Sequence, residues 1–320
     1  MDQAAENAGE ADRMSFSAKA AVSVLRLISK TGLMPKVGTI EKETARAREY
    51  NRKHPYREPS DHKAQYSTDY IGGYPLLAIK QDESAHNRAI LFLHGGGNRD
   101  AWKPEISIAR NYGKQTGADV FYPLYPPFTE VPVSETADLI YMVYRDIAKR
   151  YGAGNTAVVG GSYGGLLAMQ LITWINRNGN IEDMPALLIM NSPFAFPENE
   201  EEWALVRKFE KDDLMVPEGA VRMMMDGVMR ADPQTPDYAL YPGRMDFRHA
   251  PETYVFYAEE TCACAADAIQ KACERDGAIL HMHREPGMMH CYACVPVFPE
   301  SRRDFNLQIE LLKRVADHEA

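Results

Sequence analysis

The sequence of 320 residues contains no apolar run long enough to span a membrane and only five cysteines. Its most apolar early stretch, residues 18–28, is broken by Lys19 and Arg26, and the opening Met1-Asp2-Gln3-Ala4-Ala5-Glu6 is acidic where a secretory signal would be basic. The expectation is a protein with neither cleaved signal nor membrane span. An odd cysteine number in a chain of this size does not describe a disulfide scaffold, so a reducing cytoplasm is the expected compartment. An excess of basic residues is also missing: 36 Lys and Arg stand against 45 Asp and Glu, a net charge of −9. That disfavours nucleic acid and anionic membrane as main partners. No internal repeat or low-complexity tract is evident. What remains is ordinary for a globular protein, 45% hydrophobic and 25% charged. It suffices for one substantial core with an elaborated cap, without division into independent domains.

Against this plain background, three glycine-rich or histidine-bearing segments stand out. Gly160-Gly161-Ser162-Tyr163-Gly164 follows the apolar run Ala157-Val158-Val159 and precedes the helix-like run Gly165-Leu166-Leu167-Ala168-Met169-Gln170-Leu171. Glycines two positions either side of a serine permit a very sharp strand-to-helix turn, which lifts Oγ clear of the backbone and aims the first helical N–H groups at the site of a developing oxyanion. Ser162 is therefore the candidate nucleophile, with Gly160 and Gly164 as its supports. A glycine-rich turn carrying an idle serine is the bland alternative. Upstream, Leu91-Phe92-Leu93 runs into His94-Gly95-Gly96-Gly97, where backbone without side chains can approach a substrate and offer N–H donors. Gly96 and Gly97, with the N–H of Tyr163, are the candidate oxyanion hole. Gly95 shapes the same turn. His94 precedes the nucleophile in chain order and is read as a loop-shaping residue.

Near the end, Glu285-Pro286-Gly287-Met288-Met289-His290-Cys291-Tyr292 follows the strand-like residues 278–282, which puts His290 on a loop at a strand's C-terminal side. Hydrolases built around such an elbow run in the order serine, acid, histidine. The strand-like Thr253-Tyr254-Val255-Phe256-Tyr257 lies between them, and Ala258-Glu259-Glu260 follows at once, so one of the two glutamates is the candidate acid.

Elsewhere, residues 16–28 carry Val24, Leu27 and Ile28 at helical spacing, and residues 41–53 form a charged helix ending before His54-Pro55. A hairpin through Gly72-Gly73 opens a series of strands at 89–93, 120–122, 157–159, 187–190, 254–257 and 279–282. The clearest helix covers 134–151, with Ser134 as N-cap and Gly152 as its stop. Strands alternating with helices predict a mostly parallel sheet of about eight strands covered on both faces. Residues 198–250 interrupt this alternation. Two helices there suggest a helical cap, and Met215, Met223, Met224, Met225, Met229 and Met245 across the insertion suggest an adaptable interior, although methionines also simply fill irregular cores. The expected organisation is a tail and cap segment at 1–60 and a catalytic domain at 61–320 with a cap insertion at about 198–250.

These features resemble the hormone-sensitive-lipase-like branch of the α/β-hydrolases, the bacterial type IV esterases and lipases, from about Tyr66 to the C-terminus. His94-Gly95-Gly96-Gly97 matches its H-G-G-G motif, Asn191-Ser192-Pro193 resembles its S-P, and Glu260 takes the position of its acid when Cys262 is matched to the usual leucine. Gly161 and Tyr163 stand where that family commonly carries Asp and Ala. The resemblance implies the α/β-hydrolase fold and a Ser162, Glu260, His290 triad cleaving small to medium-sized carboxylic esters. The mechanism requires no cofactor and no metal. Members often associate, which makes a homo-oligomer compatible with the resemblance. Two other readings remain at this stage: a prolyl-oligopeptidase-like amidase, whose elbow is also G-G-S-Y-G-G, and a ligand-binding pseudo-hydrolase. The pairs Cys262/Cys264 and Cys291/Cys294 follow the candidate acid and histidine, so oxidation joining the two loops is expected to lower activity reversibly. Four zinc ligands from these thiols are the less favoured reading.

Overall fold

The computed structural model describes residues 14–30, 38–81, 87–96, 103–210 and 216–315, with residues 29, 30, 103 and 259–261 described by backbone alone. The strands are β1 (Gln65–Ile71), β2 (Tyr74–Lys80), β3 (Ala89–Leu93), β4 (Asp119–Pro123), β5 (Thr156–Gly161), β6 (Leu187–Asn191), β7 (Thr253–Tyr257) and β8 (Leu280–Arg284). They form one sheet in the order β1-β2-β4-β3-β5-β6-β7-β8. Gly72 (φ 58°) and Gly73 (φ 84°) close the β1–β2 hairpin between paired Ile71 and Tyr74, a two-residue turn with both central φ positive. The β2–β4 pair is antiparallel, and from β4 through β8 every pairing is parallel.

Burial explains the sequence of each strand. β3, β5 and β6 are central and buried along their whole length, which is why they read as unbroken apolar runs. The edge strand β1 alternates between half-buried and exposed residues. Helices α1 (Phe16–Lys30), α3 (Lys103–Thr116) and α9 (Pro299–Arg314) contribute to the core on one face; α4 (Val133–Tyr151), α5 (Tyr163–Asn178) and α8 (Glu259–Asp276) contribute to it on the other. Between β6 and β7 lie α6 (Glu200–Phe209) and α7 (Glu218–Ala231). Helix α2 (Ile40–Lys53) lies on α7: Ile40 fills the space beside Gly227, and Glu41 pairs with Arg230.

Two local expectations are corrected, and the buried side of α1 is defined. Ser134 does not cap α4; the helix starts at Val133, and the Pro132 carbonyl accepts the Thr136 N–H at 3.1 Å. Pro132 introduces the chain with φ −51°, so the helix begins two residues earlier than a Ser134 cap would allow. In α1, Val24 and Leu27 face solvent at 55% and 64% exposure, while Ala18 and Val22 are buried. The rotation of α1 is set at its start, where the Ser15 N–H and hydroxyl both donate to the Glu300 carboxylate and Met14 covers Gly287. Finally, Met223, Met224 and Met225 are half-buried and Met229 is exposed; Met245 alone of the described insertion methionines is fully buried. Met215 lies outside the described residues.

Candidate active site

Ser162 sits between β5 and α5 with φ 50° and ψ −117°, a backbone region that L-residues rarely adopt. Its own N–H donates to the Asn191 carbonyl at 2.9 Å, and its carbonyl accepts from Gly165 and Phe194. The glycines around it are sterically required. A Cβ on Gly160 would lie 2.5 Å from the Gly164 carbonyl oxygen, and one on Gly164 would lie 2.1 Å from that of Leu93. Since both obstacles are backbone, Gly164→Ala is expected to destabilise the fold by about 3 kcal/mol, readable by denaturant unfolding. An unshifted midpoint would show that the elbow has more room than these contacts allow.

The Gly95 turn closes one side. A Cβ there would meet the Ser162 Cβ at 3.2 Å, and the Gly95 N–H donates to Glu105 Oε1 at 2.9 Å. The Gly95 N–H is thus engaged by the first turn of α3, and Gly96 follows at φ 67°. Gly97 lies outside the described residues. His94 is 1% exposed, with its ring stacked on Tyr125 at 4.0 Å. Its Nδ1 donates to the Gly95 carbonyl at 2.8 Å, and its own carbonyl accepts the Tyr125 hydroxyl. These contacts tie the Gly95 turn to Tyr125.

His290 lies on the turn after β8, anchored to α9 on both sides. Upstream, Glu285 pairs with Arg303; downstream, the Tyr292 hydroxyl donates to Asp304 at 2.5 Å. Burial pushes the Glu285 carboxyl up, opposed by the Arg303 guanidinium. Cys291 adopts φ 55°, and its Sγ would lie 3.9 Å from a Cβ on Gly161, which brings the histidine turn against the residue preceding Ser162. Glu259 and Glu260 occupy the first turn of α8, directly after β7, and their side chains lie outside the described set. The helix breaks at Cys262 (φ −143°, ψ 18°), whose Sγ approaches His290 Nδ1 to 3.8 Å. That contact sets the first turn of α8 beside the Nδ1 edge of the imidazole.

An apolar cavity of about 210 Å³ adjoins this cluster, bordered by Gly95, Glu105, Gly161, His290, Cys291 and Phe298 among others. A cleft of about 30 Å³ on the other side of His290 lies under Leu205, Phe209 and Val221 of the insertion. Leucine, valine and phenylalanine, rather than methionine, form its apolar wall. Among the described residues, no group of three potential ligands could hold a metal ion, and no helix is long and apolar enough to cross a membrane.

The thiols of the two loops face different partners. Cys262 faces His290, whereas the Cys291 thiol donates to the Asn191 carbonyl at 3.4 Å. A hydrogen bond with Cys294, then burial, push the Cys291 thiol well above the usual range; burial pushes Cys264 and Cys273 up to about 12. Few thiolates exist at neutral pH under these conditions. Native protein at pH 7.5 is expected to alkylate at Cys264, Cys273 and Cys291 at least tenfold more slowly than after denaturation, followed by mass spectrometry. Equal rates would overturn this reading of the thiols.

Sequence reasoning passed over Glu105, Tyr125 and Gln308, and quoted Asn191 only as part of Asn191-Ser192-Pro193. Glu105 carries a faint signal as an acid in a helix's first turn. Gln308 is a polar residue on the face that also carries Phe305, Ile309 and Leu312.

The eight-stranded, mostly parallel sheet agrees with what a comparison of sequences finds. Residues 90–294 match the model of the α/β-hydrolase-fold family. The chain belongs to that family. No curated protein matches it in sequence. Solved structures that resemble it include an esterase from the bacterial hormone-sensitive lipase family, 18% identical with a TM-score of 0.76, covering 95% of this chain and 99% of that one. An esterase/lipase from an uncultured bacterium is 17% identical, with a TM-score of 0.75 and coverage of 94% and 98%. The esterase EstE5, soaked with p-nitrophenyl butyrate, is 19% identical, again with a TM-score of 0.75 and coverage of 94% and 98%. At these identities the likeness is one of fold, and it extends over nearly the whole α/β-hydrolase chain.

Proposed function

We propose that this α/β-hydrolase is a serine esterase that cleaves small to medium-sized carboxylic esters through an acyl-enzyme. The observation carrying the proposal is the strained backbone of Ser162, held against both the Gly95 turn and the histidine turn. In this reading Ser162 Oγ attacks the ester carbonyl while His290 accepts its proton, and the resulting tetrahedral oxyanion is stabilised by the N–H groups of Gly96, Gly97 and Tyr163. Glu260 holds the imidazole tautomer with its proton on Nδ1 and stabilises the imidazolium. His290 then returns the proton to the departing alcohol. Water attacks the acyl-enzyme by the same route in reverse roles and frees the acid.

The 210 Å³ cavity supports an upper bound on one substrate arm, since an apolar protein cavity of about 150 Å³ holds a benzene ring. The packing of α2 on α7 supports a cap built jointly from residues 1–60 and 198–250. The test is turnover of p-nitrophenyl butyrate, the ester named with one structural relative, beside the matched anilide, together with labelling by a fluorophosphonate. Ester turnover with labelling at Ser162 is expected. Faster cleavage of the anilide would favour a peptidase, and an unlabelled folded protein would mark a non-catalytic binder.

A further inference from the structure

Ser162, Ser192 and Cys291 are the non-glycine residues with positive φ among the described residues, at 50°, 45° and 55°. All three meet at one place. The Asn191 carbonyl accepts both the Ser162 N–H at 2.9 Å and the Cys291 thiol at 3.4 Å. The Ser192 hydroxyl accepts the Cys291 N–H at 2.9 Å, and the Ser192 N–H donates to the Phe256 carbonyl at 2.7 Å. The elbow, the end of β6, the end of β7 and the histidine turn are thus tied together through two consecutive residues. Strained backbone persists only where its surroundings over-determine it.

What fixes Asn191 comes from far along the chain. Gln308 of α9 and Asn191, both fully buried, exchange two hydrogen bonds of 3.0 Å between their side-chain amides. Gln308 Nε2 also donates to the Ala293 carbonyl at 3.1 Å, and Oε1 accepts the Tyr112 hydroxyl at 2.6 Å. A carbonyl can only accept, so the Ala293 contact fixes which end of the amide is which. We infer that Gln308 is a positioning residue for the proposed serine hydrolysis. Its amide locks the β6 terminus, which holds Ser162, to the turn that carries His290. The inference rests on the esterase reading for its kinetic consequence, while the mechanical claim stands on the buried network itself.

Gln308→Met keeps the length of the side chain and removes every one of these hydrogen bonds. Catalytic alignment tolerates little displacement, of the order of 1 Å for a hundredfold loss. The variant is expected to lower kcat for p-nitrophenyl butyrate about 10- to 100-fold with KM within about twofold, and to slow fluorophosphonate inactivation in parallel. Tyr112→Phe, which removes a hydroxyl from the same buried cluster but leaves the amide pair, should lower Tm yet keep kcat within about threefold. A purely structural role would move Tm in both variants and kcat in neither. Alkylation of Cys291 by iodoacetamide gives a readout independent of turnover, expected to rise at least tenfold in Gln308→Met and to stay unchanged in Tyr112→Phe. If Gln308→Met does not fold, Gln308→Glu, which keeps the acceptor for Tyr112 and loses the donor to Ala293, is measured in the same way. Unchanged Cys291 alkylation in the folded variant overturns the inference, as does unchanged kcat in an enzyme whose wild type is labelled at Ser162. A wild type that is neither labelled nor active defeats the esterase reading instead, and the alkylation rates then decide the positioning role alone.

Discussion

Ser162→Ala is expected to lower kcat for p-nitrophenyl butyrate by about a million-fold while the protein stays folded, because nucleophile and base act as one unit. The fold should be indifferent to the change. The Ser162 side chain makes no capping hydrogen bond to α5, and what anchors the residue is its backbone, through Asn191, Gly165 and Phe194. Alanine meets the same φ of 50° with no added bulk. Circular dichroism and the denaturation midpoint should therefore match wild type, while fluorophosphonate labelling disappears. Near-normal turnover by folded Ser162→Ala protein would remove the serine mechanism, and with it the roles assigned to His290 and the oxyanion donors.

The parts of this molecule that were legible in its sequence are those whose causes are local. β3, β5 and β6 read as strands because burial on both faces makes them continuously apolar. The turn at Gly160-Gly161-Ser162-Tyr163-Gly164 was legible in part because Gly160 is demanded by atoms only a few residues away, the Gly164 carbonyl among them. Leu93, whose carbonyl presses on Gly164, comes from another strand, and nothing in the sequence announces that contact. The same holds for α1. Its apolar residues are spaced for a helix, but the choice of buried side is made by Ser15 docking on Glu300, 285 residues away in the chain. The Asn191–Gln308 pair is 117 residues apart, and each partner alone is an unremarkable amide. For the thiols, chain order brought the cysteine-bearing loops to one region correctly, but the direction of each Sγ depends on backbone detail: the break at Cys262 and the left-handed conformation of Cys291.

Glu260→Gln is expected to cost about four orders of magnitude in kcat, with Glu259→Gln much milder. Both residues follow Ala258, the last position before α8. Cys262, two positions on, touches His290 Nδ1, which sets this turn of backbone at the edge of the imidazole that a carboxylate must reach. The resemblance to the type IV esterases puts Glu260, rather than Glu259, at the position of the acid. A glutamine there preserves size and most packing, yet its amide N–H can lock the imidazole with its proton on the wrong nitrogen, and it offers no negative charge to the imidazolium formed as Ser162 attacks. KM should change little, since the lost interaction grows only as charge develops on the ring. For the same reason kcat/KM of the wild type should fall on acidification, because only neutral imidazole accepts the serine proton. Equal and mild effects at 259 and 260 would send the search along α8 to Asp267. That carboxylate is already engaged by Lys271 at 2.8 Å and lies about two helical turns beyond Glu260, so it would have to give up an ion pair and cross the break at Cys262 to reach Nδ1.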